Sequence, residues 1–344
     1  MSAAEEEKQR VNWYRTPLPR EVLAALNQRS DRMGWLQTMG HLGLLAVTGG
    51  LAWYALGRTP WWVVVVLLFV HGTGYAFLIN AFHEFVHQSV FKTRALNDFF
   101  LNLISFLGWA NPVAFWASHQ EHHKFTLHQP YDLEVVLPQE IKLASFLKSS
   151  FVNPWDFWFR FKLMWRHAMG RVEGTWESYL FPPEAVEARR ALFTWARVIL
   201  LGHAAIIVVS LALGWWIVPI IVTFAPFYGG CLQFLCNNTQ HVGLQDAVPD
   251  YRLCTRSFLT NPIVQFLYWH MNYHIEHHMY AAVPCYNLGK LHRAIAYELP
   301  PTSVGLWATW KEILAILKKQ HEDPTYEYVA PLPAPRATAA GAGD

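Results

Sequence analysis

Charged side chains are scarce in this sequence. Asp, Glu, Lys and Arg make up 15% of 344 residues, against roughly a quarter in soluble domains, which argues against a chain built for water throughout. Cysteine is scarcer still: Cys231, Cys236, Cys254 and Cys285 are the whole complement. They form no CxxC pair and two fall in or near an apolar run, so neither a cysteine zinc site nor a disulfide framework is expected. Residues 1–32 are charged (EEEKQR, PREVLAALNQRSDR) and lack a short apolar core before a small-residue cleavage site, so no cleavable signal is expected. No internal repeat covers the chain, and a net charge of only +2 leaves little to attract nucleic acid.

What the chain has in place of charge is apolar length: 53% of its residues are hydrophobic and 17 are Trp. Residues 33–56 and 61–82 carry almost no charge, and about 22 helical residues at about 1.5 Å each cross a hydrocarbon core of about 30 Å. A second pair, 191–213 and 215–236, is joined around Gly214. The expectation is an all-α membrane protein with four transmembrane helices in two hairpins, anchored by Trp53, Tyr54, Trp61, Trp62, Trp215 and Trp216 at the interface. Only Arg58 lies in either short turn, whereas the remaining Lys and Arg concentrate in the other segments, so the positive-inside bias puts both termini in the cytoplasm.

The stretch 99–117 is apolar enough to tempt a fifth span, but Asn111-Pro112 breaks it, and a helix lying in or dipping into the cytoplasmic interface is the better reading. The same holds for 258–273, with Asn261-Pro262 near its start. The division expected is a cytosolic segment over 1–32, one membrane domain over 33–330 and a disordered tail over 331–344 (PLPAPRATAAGAGD).

Nine of the 17 histidines fall in four groups: HEFVH (His83, His87), HQEHH (His119, His122, His123), NNTQH (His241) and HIEHH (His274, His277, His278). At this composition HxxHH should arise by chance about 0.04 times, yet it occurs twice. On a helix, His83 and His87 share one face, and each HxxHH offers three imidazoles from a single turn. The two adjacent residues diverge by about 100° and can reach different ions. Nine imidazoles suit two metals with four or five ligands each. Calcium and magnesium prefer oxygen donors, and structural zinc needs four ligands and usually some cysteine, so redox-active iron is preferred, with copper second. All four groups would meet at one membrane face, since His83 follows the second span and His241 the fourth.

HEFVH is also an HExxH, the zinc pair and general-base Glu of metalloproteases. That reading needs one further ligand and leaves two HxxHH triplets idle. A carboxylate di-iron bundle needs two ExxH pairs, and Glu84-x-x-His87 is the only one.

HEFVH, HQEHH and HIEHH, in that order around a second hydrophobic hairpin, resemble the three histidine boxes of the integral-membrane fatty acid desaturase superfamily. Asn237-x-x-x-His241 is similar to its extra motif between boxes two and three, and the resemblance runs from about residue 60 to 295, with HMNYHIEHHMYAAVPCYNLGKLH (270–292) especially alike. The resemblance implies a mushroom-shaped helical protein with four spans, a cytosolic helical cap and a di-iron centre at their junction. Its ligands would be His83, His87, His119, His122, His123, His241, His274, His277 and His278, with Asn237 reaching an iron through a water. Box one is HxxxH where several members have HxxxxH; both versions occur. It further implies activation of O₂ with two external electrons and attack on an unactivated C–H bond. A double bond in a fatty acyl chain is the leading outcome; the alternative is hydroxylation or ketolation of an alkane, carotenoid, sterol or other apolar substrate. No HPGG haem motif or flavin fold is visible, so the electron donor is expected to be a separate ferredoxin, rubredoxin or cytochrome b5. A multi-pass protein of the bacterial inner membrane, with a cytoplasmic active site, is preferred.

Several other residues carry two readings. Glu84, Glu121, Glu276 and Asp132 could orient ligating imidazoles or be ordinary surface charge. His270 and His128 could add ligands, though nine suffice. His41, His71 and His203 lie inside spans, where a hydrogen bond to a neighbouring helix is the commoner explanation; His71 could also line a channel. Trp109, Phe115 and Trp116 could shape an acyl tunnel or anchor at the interface. Lys142, Lys148, Arg160, Lys162 and Arg166, interleaved with Trp155, Trp158, Phe159 and Trp165, suit lipid headgroups or an acidic electron donor.

Overall fold

A computed structural model describes residues 10–139 and 141–334. The first nine residues, residue 140 and most of the expected tail (335–344) lie outside the described residues. The structure is mostly helical, with a single two-residue parallel pairing of Phe258–Leu259 with Ser303–Val304 among the described residues.

The first hairpin joins helix Asp31–Ala55 to Trp61–Ala76 through a short turn. Ser30 caps the first helix by accepting from the Met33 amide at 3.3 Å. Its inward stripe is small and polar (Gly34, Gln37, Thr38, His41, Thr48, Gly49, Ala52) while Leu36, Val47 and Tyr54 face outward, Leu36 57% exposed. On Val186–Ala212 the buried face is mixed (Leu192, Ala196, Ile199, His203, Ser210), and Leu201 is 71% exposed. Apolar residues outside and polar residues inside are what a hydrocarbon solvent selects. Among the described residues, two helices are long and apolar enough to cross a membrane, Trp61–Val86 and Val186–Ala212, and the expected first span, 33–56, is not one of them. The count rises to three if the bent pair Arg94–Leu107 and Pro112–Phe125 is one span.

That pair bends by 104°. Asn111 caps the second member by accepting from the amides of Val113 and Ala114, and Pro112 occupies the first helical position, so the chain turns where the sequence predicts a break. Asn261 and Pro262 repeat the device for helix Pro262–Leu267.

The segment expected as a fourth spanning helix, 215–236, is not one helix. It consists of Ile217–Ile221, a 3₁₀ turn at Ala225–Phe227 and Cys231–Asn237. Pro226 offers no amide, and Gly229 takes φ +70° where a Cβ would come within 2.7 Å of the Phe69 carbonyl. The carbonyls freed by these breaks are taken up by side chains. His71 bonds Ile221 at 2.8 Å, Tyr75 bonds Val222 at 3.1 Å, Trp109 bonds Thr223 at 2.9 Å and Thr73 bonds Gly229 at 3.0 Å. His203, stacked between Phe106 and Trp109, meets the Thr223 hydroxyl at 3.1 Å. His71 and His203 are thus inter-segment hydrogen bonders, and His41 likewise sits between the Gly74 carbonyl and the Trp269 indole.

Phe77, Phe82, Phe85, Phe91, Phe100, Tyr268 and Trp269 form the core beneath helix Leu78–Val86 and fix the first histidine pair. On helix Pro154–Ala168, Trp155, Phe159 and Trp165 are exposed while Lys148 and Lys162 lie over Trp155 and Trp158, an arrangement suited to a headgroup layer.

A Cβ on Gly72 would overlap Tyr228, including its carbonyl oxygen, whereas Gly50 has nothing within 4 Å. Gly72→Ala is therefore expected to cost about 1–3 kcal/mol by overpacking, and Gly50→Ala to stay within about 0.5 kcal/mol of wild type, read as thermal midpoints in detergent.

Candidate metal centre

Three helices and one turn bring the four histidine groups together. His83 lies on Leu78–Val86 and His87 caps its end; His119, His122 and His123 lie on Pro112–Phe125; His274, His277 and His278 lie on His274–Met279. His241 follows Cys231–Asn237 in a turn. One nitrogen each from His83, His87, His119, His123 and His277 lies within 4.8 Å of all the others, and the same is true of His122, His241 and His278. His274 joins the second set, its Nε2 standing 3.1 Å from the Nε2 atoms of both His241 and His278. Adjacent residues part company: His123 and His277 go to one group, His122 and His278 to the other.

The Nε2 atoms point inward. His87 and His123 approach the His119 Nε2 at 3.1 and 3.0 Å, and His277 approaches His123 at 3.2 Å. The opposite ring edges are held from outside. His119 Nδ1 donates to Glu134 at 2.7 Å, His122 Nδ1 to Asp132 at 2.8 Å and His241 Nδ1 to the Cys254 carbonyl at 2.9 Å. Each such partner fixes the proton on Nδ1 and leaves an Nε2 lone pair facing its neighbours. Burial pushes His274, His277 and His278 well below the ordinary histidine range, and the surrounding histidines add to it. They are neutral donors at pH 7. Burial would lower His122 too, but the bond and charge of Asp132 outweigh it and raise it, while the same pairing holds Asp132 low despite its burial.

Converging imidazoles in sets of five and four, several of them backed by a carboxylate, fit two transition-metal ions and no hard oxygen-seeking cation. The sequence model of the family described as fatty acid desaturase matches residues 59–310. The chain belongs to that family. No curated protein matches it. Family membership implies a membrane oxidoreductase, and iron is the metal the family typically uses.

Of the carboxylates weighed from sequence, Asp132 and Glu84 touch imidazoles of the two clusters. Glu84, 1% exposed, lies 3.3 Å from His83 Nδ1 and 3.9 Å from His277 Nδ1. It stands behind the rings, on the side away from Nε2, which removes it from the position a protease general base would occupy. Glu276 instead accepts from Ser257 and His292, both at 2.5 Å, and so moors its helix. Glu121 pairs with Lys124 and Tyr179. His270 bonds Gln265 and His128 bonds the Thr126 carbonyl, so neither joins the cluster. Glu134 was not singled out from sequence. Its signal is the DLE after box two: Asp132 accepts from the amides of Leu127 and Glu134, which folds the loop back so that Glu134 returns to His119.

Asn237 Oδ1 accepts from Asn80 Nδ2 at 3.1 Å, and Asn80 is one turn before His83. An apolar cavity of about 350 Å³ opens between Ile79, Phe82, Trp109, Ala114, Phe115 and Ser118 on one side and helix Pro154–Ala168 on the other. Phe115 stacks on His119 with centroids 4.8 Å apart. A second cavity, about 270 Å³, includes Asn237 and shares Ile79, Asp156 and Arg160 with the first.

Glu134→Gln should lower metal affinity about tenfold in chelator competition, because the charge orienting His119 is lost. His270→Ala should leave the metal content of the purified protein unchanged.

Proposed function

We propose that the protein is a four-span, di-iron, O₂-dependent desaturase that introduces a double bond into a fatty acyl chain. The observation that carries this reading is the pair of histidine sets next to an apolar cavity whose wall includes Phe115, itself stacked on His119. His83, His87, His119, His123 and His277 would hold one iron, and His122, His241, His274 and His278 the other. Iron bound there supplies the reduction of O₂ and the oxidising power to break an unactivated C–H bond. The chain's own residues do the rest. Asp132, Glu134 and the Cys254 carbonyl hold the imidazoles in register, and Phe82 and Phe115 present an apolar wall to the acyl chain. Asn237, its amide oxygen held by Asn80, has its NH₂ left to orient a water beside the centre.

The reaction balances as follows: the acyl chain loses two hydrogens, O₂ becomes two waters, and the remaining two electrons and two protons come from a donor and solvent. The donor is a separate ferredoxin, rubredoxin or cytochrome b5. The spans are Asp31–Ala55, Trp61–Val86, Val186–Ala212 and the interrupted stretch 215–236, with residues 33–330 as one domain, both termini and the centre cytoplasmic, in a bacterial inner membrane. The inward-facing small and polar stripe of Asp31–Ala55 and the satisfied carbonyls of 215–236 support that arrangement.

Purified protein given reduced ferredoxin, isotopically labelled O₂ and mixed acyl lipids should yield unsaturated chains without label in the lipid, by mass spectrometry. His119→Ala should abolish the product. Labelled alcohols in place of alkenes would sink the desaturase reading.

A further inference from the structure

We propose that the stacked pair Trp13–Tyr251, at the foot of a basic cavity, is where a small acidic one-electron carrier docks and passes electrons to the histidine centre. This rests on the redox reading above. The cavity, about 850 Å³, is lined by Arg10, Val11, Trp13, Arg15, His123 and Lys124, and an adjoining one shares Arg10 and Val11. Among the described residues lining either, none carries a carboxylate. Arg10 and Arg15 are exposed, and Lys124 reaches sideways to Glu121 at 2.7 Å. Such a rim complements an acidic protein surface and would speed its encounter. It differs in kind from the apolar cavity beside Phe115, which suits an acyl chain.

The floor of this cavity is aromatic and continuous with the centre. Trp13, half-buried, stacks on Tyr251 with ring centroids 4.1 Å apart and planes within 8°. Its indole donates to the Lys124 carbonyl at 2.8 Å, which pins it there. Tyr251 is fully buried; its ring lies 5.3 Å from that of His278, and its hydroxyl donates to the His123 carbonyl at 3.1 Å. Arg15 is within hydrogen-bonding reach of the same hydroxyl. Two ring-to-ring steps therefore connect the surface to His278 of one histidine set, while His123 of the other lines the same cavity. In each encounter the carrier is oxidised by one electron, and two encounters supply the two electrons that the desaturation consumes. Trp13 and Tyr251 bridge the gap and end in the state in which they began.

The test uses iron-loaded, full-length protein in nanodiscs, with an acidic [2Fe–2S] ferredoxin as probe. Binding is measured by titration at low and high salt, and anaerobic oxidation of the reduced ferredoxin by absorbance, with reduced riboflavin as a small reductant that needs no docking. Arg10→Glu with Arg15→Glu should weaken ferredoxin binding at least about tenfold and flatten its salt dependence, with iron content and reduction by riboflavin within about twofold of wild type. Trp13→Leu should leave binding nearly unchanged but slow transfer from bound ferredoxin about tenfold or more, and Trp13→Phe should restore most of it. Ferredoxin that does not bind the wild type, binding indifferent to the charge reversal, or transfer indifferent to Trp13→Leu overturns the proposal. A wild-type chain that retains no iron overturns instead the function on which it rests.

Discussion

Seven imidazoles bring ring nitrogens to within 3.0–3.2 Å of one another, with His83 and His122 within 4.8 Å of the rest of their groups, and most of the surrounding structure can be understood as the means of holding them there. Like-polarity nitrogens that close repel unless a cation sits among them, and burial removes the water that would otherwise screen them. Restraint has to come from behind each ring. Glu134, Asp132 and the Cys254 carbonyl supply it directly, while Glu276 acts at one remove by tying the HIEHH helix to Ser257 and His292. That Ser257 also accepts from the Ile275 amide at 3.0 Å gives this six-residue helix an anchor it could not provide for itself.

The same economy governs the buried backbone of 215–236. A continuous helix would satisfy its own carbonyls but would run straight past the Trp61–Ala76 helix. The broken path lets Gly229 approach that helix closely, and it leaves carbonyls that His71, Tyr75, Thr73 and Trp109 must satisfy. The histidines on these apolar helices, which look like functional groups in a list of polar residues, are thereby explained as backbone partners.

This separates what could be read in the sequence from what could not. The histidine groups were legible because HxxxH and HxxHH are local patterns whose geometry follows from one helical turn, and Asn111-Pro112 marked its own bend. The division of His122 from His123 followed from the same geometry. Glu134 was illegible because its role depends on a loop closing over Asp132, which no spacing rule reports. The interruption of 215–236 was half legible: Pro226 and Gly229-Gly230 are visible breakers, but a hydropathy window averages over them.

On the proposed function, the HQEHH helix would let substrate and electrons enter by different openings. Its N-terminal half, with Ala114, Phe115 and Ser118, lines the apolar cavity, and its last turn, with His123, Lys124 and Phe125, lines the basic one. An acyl chain would be drawn to the first by hydrophobic burial, which salt does not screen, and an acidic carrier to the second by long-range charge, which it does. The two stimuli meet only at the imidazoles between them. Because Ser118 donates to Glu134 at 2.7 Å, and Glu134 accepts from His119, the substrate wall and the ligand shell share one hydrogen-bonded chain. A group that displaces Ser118 when the acyl cavity fills would therefore be felt at His119, on the same helix that carries His123 to the basic side.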